Sequence, residues 1–258
     1  MAVSTIKPLI LYGIISTPNP LKVAIILHEL KLPYTVSNID FHQVKTPALT
    51  NLNPNGRMPA LTDPNTGLTI WESGAIIEYL IATYDNNNDN GGERKLSFEP
   101  GSADHWHAIQ WLYFQISGQG PYFGQAVWFR HRHPEELPSA LERYEKEIRR
   151  VCGVLEGWLG GKLGQGQEQG SSGDVGSSGK VRKYLVGEKY SFADLAFIPW
   201  HGYVQGLIDA GTTGKYDEEK EFPHMHAWME RLMARDAVKD AMAAKAAAAK
   251  EKAEREAK

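Results

Sequence analysis

Asn53-Pro54-Asn55-Gly56-Arg57-Met58-Pro59-Ala60-Leu61, with Glu72-Ser73 eleven residues beyond it, is the stretch that decides the fold. Its first half is a strong turn signal, which runs through a proline preceded by a bulky residue into a short apolar strand. That order suits a tight turn in which a cis Met58–Pro59 peptide aims the N–H and C=O of Met58 outward at a ligand. A turn of this kind can grip an extended peptide. Glu72 and Ser73 fall where an amphipathic run begins, and the exposed N–H groups and positive dipole end of a helix there attract a carboxylate. Alone, the pair reads equally well as a cap and a dipole partner. Beside Met58-Pro59 it reads as half of a site for a carboxylate-bearing peptide.

Upstream, Leu9-Ile10-Leu11-Tyr12 is a short apolar run ended by Ser16-Thr17-Pro18-Asn19-Pro20. Leu21 to Leu30 then sets Val23, Ile26, Leu27 and Leu30 on a helical stripe. Tyr34 to Ile39 is a second extended run, and Thr46 to Leu52 a short helix. Downstream, Ala60-Leu61-Thr62 and Leu68-Thr69-Ile70 flank Asp63-Pro64-Asn65 and pair as a hairpin. Ile76, Ile77, Leu80 and Tyr84 form the apolar face of a closing helix. The order βαβαββα is a thioredoxin-like layout.

The rest reads as helical. From Ser139, Leu141, Tyr144, Ile148, Val151, Leu155 and Trp158 make an unbroken stripe, and Ser139-x-x-Glu142 has capping-box spacing. Ala103 to Ile116 is an aromatic-rich helix, which Gly118, Gly120 and Pro121 kink or break before Tyr122 to Phe129 resumes it. Ser191-Phe192-Ala193-Asp194 is a second capping box, opening Leu195 to Trp200; Phe222 to Met233 is a further helix. The fold class is therefore α+β, an N-terminal thioredoxin-like βαβαββα domain over residues 1–85 and an all-α domain over 101–236. Residues 86–100 form a linker. A Gly/Ser-rich insertion at about 160–180 is expected to be mobile, because its composition buries too little apolar surface to offset ordering. The Ala/Lys/Glu-rich tail over 237–258 reads as a solvated helix.

A chain of 258 residues with a net charge of −3 can hold two cores and carries no basic excess that asks for nucleic acid or an acidic membrane. One cysteine, Cys152, excludes an intrachain disulfide framework, and on its helical stripe it reads as a buried apolar residue. MAVSTIKP lacks the pattern of a secretion signal, and no apolar run approaches the roughly 20 residues of a membrane span. A cytoplasmic protein is expected. His105, His107, His131 and His133 lie close in sequence, but Arg130 and Arg132 would repel a cation, so no metal is expected. Tyr12, inside the first strand, reads as packing rather than as a catalytic phenol.

Several blocks in one order carry a resemblance over about residues 8 to 236. Besides the stretches already quoted they are Ser16-Thr17-Pro18-Asn19, Val23-Ala24-Ile25, Gly124-Gln125-Ala126 with Phe129-Arg130, Glu142-Arg143-Tyr144, Arg149-Arg150-Val151 with Gly153-Val154, and Phe192 to Phe197. The chain resembles the glutathione transferase superfamily, in the fungal branch related to the transferase-like domain of the yeast nitrogen-regulation and prion protein. The resemblance implies glutathione as co-substrate. Glu72 then pairs with the γ-glutamyl ammonium, Ser73 and the helix start take its carboxylate, and the Met58 backbone pairs with the cysteinyl part. Arg57, and more weakly Lys45, match the glycyl end. The nitrogen-regulator branch has a histidine where this chain has Val44, a departure at that contact.

For the sulfur, the loop offers Asn19, Ser16 and Thr17, in that order of preference by resemblance, and no cysteine for a mixed disulfide. A free thiol of pKa ~8.5 is mostly protonated at neutral pH, and lowering it by about two units takes roughly 2.7 kcal/mol. One or two hydrogen bonds to the thiolate, each worth about 1.5–3 kcal/mol, suffice. Asn19 also reads as a cap for a helix starting near Pro20, and the two roles are compatible. The expected function is transfer of glutathione to hydrophobic electrophiles, with reduction of organic hydroperoxides beside it. The alternatives are a glutathione-dependent peroxidase or disulfide reductase, and a non-catalytic glutathione-binding regulator of a partner protein. The long Asn/Gln-rich region of the prion relative is not in this sequence, which ranks the regulator last. The resemblance also implies a homodimer.

Overall fold

The computed structural model describes residues 6–85, 94–163, 179–209 and 214–256. It divides into two compact units, Met1–Leu96 with Ala234–Lys258, and Ser97–Met233. The first unit runs β1 (Leu9–Tyr12), α1 (Pro18–Glu29), β2 (Tyr34–Ser37), a 3₁₀ turn (Phe41–Gln43), α2 (Pro47–Thr50), β3 (Ala60–Asp63), β4 (Leu68–Trp71) and α3 (Ser73–Tyr84). Its four-stranded sheet has the order β2-β1-β3-β4. β1 pairs parallel with β2 and antiparallel with β3, which pairs antiparallel with β4. The βαβαββα reading is the observed order. The hairpin turn is held by Asp63, whose carboxylate accepts from the Asn65 N–H (2.8 Å), the Tyr79 hydroxyl (2.7 Å) and the Tyr84 hydroxyl (2.5 Å). Hydrogen bonds thus tie the turn to the closing helix and hold that carboxyl below its usual range against the opposing effect of its burial.

The second unit contains α4 (Ala103–Phe114), a π-helical turn (Gln115–Gln119), α5 (Gly120–His131), α6 (Pro138–Leu159), α7 (Phe192–His201), α8 (Val204–Asp209), α9 (Glu218–Glu221) and α10 (Pro223–Met233). The glycines after α4 do not break the chain's helical course. It widens by one π turn, across which Gln115 Nε2 donates to Gln119 Oε1 (2.9 Å), and α5 follows without a gap. The α6 stripe is observed, with Ile148, Val151, Cys152, Leu155 and Leu159 buried. Its expected capping box is not. Pro138 opens the helix, Leu137 is the N-cap residue and no side chain caps it. Proline favours the first helical position, so the helix starts too early for Ser139 to act as cap. Ser191 does cap α7, with both halves of the box formed by Ser191 and Asp194. The expected linker and insertion fall partly on residues 86–93 and 164–178, which lie outside the described residues.

The tail departs most from expectation. Asp236–Glu256 forms α11, which belongs to the first unit and packs on α1, with Val238 and Ala241 fully buried. Helix α1 is therefore covered well beyond its stripe, and Leu21 and Val23 to Leu27 are all fully buried. Each large aliphatic side chain so buried contributes about 1.5–3 kcal/mol. Among the described residues no helix is long and apolar enough to cross a membrane.

Candidate functional site

Strand register sets the site. Tyr12, the last residue of β1, pairs with Ala60, the first of β3, and Ala60 pairs with Trp71, the last of β4. Tyr12 also pairs with Ser37, the last residue of β2. The loop carrying Ser16, Thr17 and Asn19, the segment carrying Lys45, the Arg57-Met58 turn and Glu72-Ser73 therefore all leave the sheet at one end. From β1 to β4 that end spans roughly 10 Å at about 4.8 Å per strand step, the length of an extended tripeptide.

At the middle of this end, Met58–Pro59 is cis. Met58 precedes β3, so its N–H and C=O belong to no ladder of the sheet. Its side chain packs on the core of Ile39, Leu49 and Ala60 together with Tyr12 and Val44. The phenol of Tyr12 is thus part of that packing. Gly13 (φ 147°) lets the β1–α1 loop approach: a Cβ there would lie 3.0 Å from Pro20 Cγ and 3.3 Å from Met58 Cβ. Met58 and the start of α1 are in this way brought against each other. The buried Asn53 shapes the preceding turn, its Nδ2 donating to the Arg57 carbonyl (2.7 Å) and its Oδ1 accepting from the Asn55 N–H (2.9 Å). Lys45 Nζ donates to the Asn55 carbonyl (2.7 Å). Gly56 (φ 60°) makes room for it, since a Cβ there would lie 2.7 Å from the Val44 carbonyl and 3.2 Å from Lys45 Nζ. Two exposed cationic side chains, Lys45 and Arg57, thus flank one turn, while the Val44 side chain faces the core.

Beyond β4, Glu72 has φ 72° and ψ 119°, a conformation that costs a non-glycine residue of order 1–3 kcal/mol and recurs at ligand sites. Glu72 is the N-cap residue of α3 but its side chain does not cap the helix, and it is exposed. The first-turn N–H groups beyond it are left without a side-chain cap. Ser73, the first helical residue, is buried, and its Oγ accepts a hydrogen bond from Lys22 Nζ (3.1 Å). Sequence reasoning missed Lys22. It lies in the uninterrupted apolar run of α1 and is 2 % exposed, and burial pulls its ammonium down to about 7 although the Glu72 carboxylate opposes the shift. A lysine inside the run from Leu21 to Leu27 was the available signal.

The loop after β1 closes a turn, with the Thr17 N–H donating to the Ile14 carbonyl (2.9 Å). The Thr17 hydroxyl donates to the same carbonyl (2.7 Å). Thr17 is the N-cap residue of α1, so Asn19 is the second residue of the helix and not its cap. Ser16 lies in the turn and, like Thr17 and Asn19, is half-buried. In the second unit His105 packs edge-on against Trp106, and His133 stacks on Phe129. Among the described residues no group of three or more His, Cys, Asp or Glu side chains is arranged to hold a metal ion.

Residues 7–82 match the N-terminal domain of glutathione S-transferases and residues 177–236 match their C-terminal domain. The glutathione S-transferase-like protein gedE of Aspergillus terreus is 49 % identical over 227 residues, 88 % of this chain and 91 % of that protein. Among solved structures, the glutathione transferase URE2P6 of Phanerochaete chrysosporium, in complex with oxidized glutathione, is 40 % identical with a TM-score of 0.76, covering 94 % of this chain and 98 % of that one. Ure2p5 of the same fungus, cocrystallized with 1-(S-glutathionyl)-2,4-dinitrobenzene, is 37 % identical with a TM-score of 0.75 over 94 % and 96 % of the two chains. The chain belongs to the glutathione S-transferase family, in its branch related to Ure2.

Proposed function

We propose that this chain is a glutathione transferase that holds the tripeptide across the end of its sheet and activates its thiol for attack on hydrophobic electrophiles, organic hydroperoxides being a second substrate class. The observation that carries the reading is the register Tyr12–Ala60–Trp71, which gives a tripeptide's length between the start of α1 and the start of α3. In this reading the Met58 backbone pairs with the cysteinyl residue, Glu72 holds the γ-glutamyl ammonium, and Ser73 with the α3 N–H groups takes its carboxylate. Lys45 and Arg57 face the glycyl carboxylate. The thiolate then lies toward Asn19, Ser16 and Thr17. Relatives crystallised with oxidized glutathione and with an aryl glutathione conjugate support both the ligand and the product class. The proposal includes a cytoplasmic homodimer.

The test is an ultraviolet difference titration of bound glutathione. A thiol pKa about one unit or more below the free value supports a catalyst. Binding without a drop moves the function to a non-catalytic regulator, and no binding discards the glutathione site. Glu72→Ala checks the placement independently. It should weaken binding about tenfold or more by leaving the ligand ammonium unpaired, and unchanged affinity would show the site to be elsewhere.

A further inference from the structure

Lys22 has no assigned part in this chemistry, yet it is buried directly behind Ser73. Its Nζ lies 3.1 Å from the Oγ of Ser73, the first residue of α3. We propose that Lys22 is a positioning residue of the glutathione site: its ammonium turns the Ser73 hydroxyl outward and provides the counter-charge for the γ-glutamyl carboxylate, taking up a proton from solvent as that carboxylate arrives. The inference rests on the glutathione reading of the site.

A lysine ammonium has three donors and no acceptor, so beside it the Ser73 oxygen must accept and its O–H must point elsewhere. A neutral amine can accept, and the Ser73 proton can then turn inward. Only the first arrangement offers the ligand carboxylate both an O–H donor and a nearby positive charge. Burial holds Lys22 near neutrality in pKa, at about 7, so the free protein carries a mixed population and an arriving anion selects the charged form. The elements packed on α1 are α3, α11 and β1. At the N-cap of α3 the charge acting on Lys22 is Glu72. From α11, Asp240 acts on His28; Arg235, just before α11, and Lys95, in the segment after α3, pair with Glu29, roughly 10 Å further along the helix axis. From β1 the titratable group is Tyr12, packed on Ile39, Leu49 and Ala60.

Isothermal titration calorimetry of the full chain with S-methylglutathione tests this, because that ligand has no thiol proton to release. Heats measured in buffers of different ionisation enthalpy give the protons taken up per ligand bound. The expected result is uptake of roughly half a proton or more at pH 7.5 and close to none at pH 5.5. Lys22→Met should bind about tenfold more weakly or worse and lose the uptake. Should that variant not fold, Lys22→Gln keeps a donor to Ser73 without a charge and should likewise lose the uptake. The ligand amine, paired with Glu72, is the other group able to gain a proton, and the variants separate the two. Heats independent of buffer in the wild-type chain overturn the inference, as does uptake that persists in either variant. Failure of S-methylglutathione to bind at all is a different result, since it overturns the site itself and the Lys22 inference with it.

Discussion

At the scale of single residues, the loop after β1 offers three polar side chains whose surroundings already differ. The Thr17 hydroxyl gives its one proton to the Ile14 carbonyl, so it has none to give a thiolate. Asn19 has an amide that donates without losing a proton, and it stands in the first turn of α1, at the positive end of the helix dipole. Ser16 lies in the turn before both. Cys152, the one cysteine of the chain, is buried in α6 and pushed up to about 12 by that burial, so it stays a thiol. The expected kinetic order follows. Asn19→Ala should lower kcat by about tenfold to a hundredfold with little change in glutathione binding, since its contact matters when charge is on sulfur. Thr17→Val should stay within about threefold of wild type, because the hydroxyl proton it loses served the backbone. Steady-state rates with 1-chloro-2,4-dinitrobenzene decide. An active Asn19→Ala beside a dead Ser16→Ala would hand the role to the serine.

At the scale of elements, the two expected capping boxes part company for a physical reason. Ser191 and Asp194 close theirs, and Asp194 does more than cap. Its carboxylate, fully buried, accepts from the Ser191 and Leu185 N–H groups (both 2.9 Å) and from Trp228 Nε1 (2.9 Å), joining α7 to α10 and to the segment before α7. Removing it leaves these three buried N–H groups, and the Ser191 hydroxyl that also donates to it (3.1 Å), without their acceptor, at about 1–3 kcal/mol for each orphaned donor. Asp194→Ala should therefore destabilise the chain by about 3 kcal/mol or more in urea unfolding, and a loss below about 1 kcal/mol would show that water or a rearrangement replaces the carboxylate. The Ser139 box was equally legible and did not form, because Pro138 had already started the helix. Gly118 to Pro121 were legible as an interruption but not as a π turn. Gln119, bridged to Gln115 across that turn, also donates to the Phe197 carbonyl (3.3 Å), a partner in α7 that local periodicity does not contain.

At the scale of the whole molecule, legibility follows sequence separation. The order of strands, the cis Met58–Pro59 turn and the start of α3 at Ser73 were readable because short motifs carry them. Lys22 was not, because its partner Ser73 lies fifty-one positions away and its neighbours spell only an apolar helix. The tail was read as solvated for the same reason. What ties the start of α11 to α1 is a pair 206 positions apart: Glu29, 1 % exposed, accepts from Nε (2.5 Å) and Nη2 (3.0 Å) of Arg235, the residue before α11, with Lys95 Nζ 3.2 Å from the Oε2 that Nη2 contacts. A buried carboxylate that loses a bidentate guanidinium keeps its desolvation cost and forfeits most of its compensation. Arg235→Ala should thus lower stability by about 2–4 kcal/mol, Lys95 supplying partial cover. Replacing Glu29 and Arg235 together by methionine removes both charges while retaining much of the apolar volume, and should recover more than half of that loss. Unfolding in guanidinium chloride, followed by circular dichroism for the wild type, the single and the double variant, measures both effects. A double variant as unstable as Arg235→Ala would mean that the ion pair is needed to seat α11 on α1, and that apolar contacts such as Val238 and Ala241 cannot hold the helix by themselves.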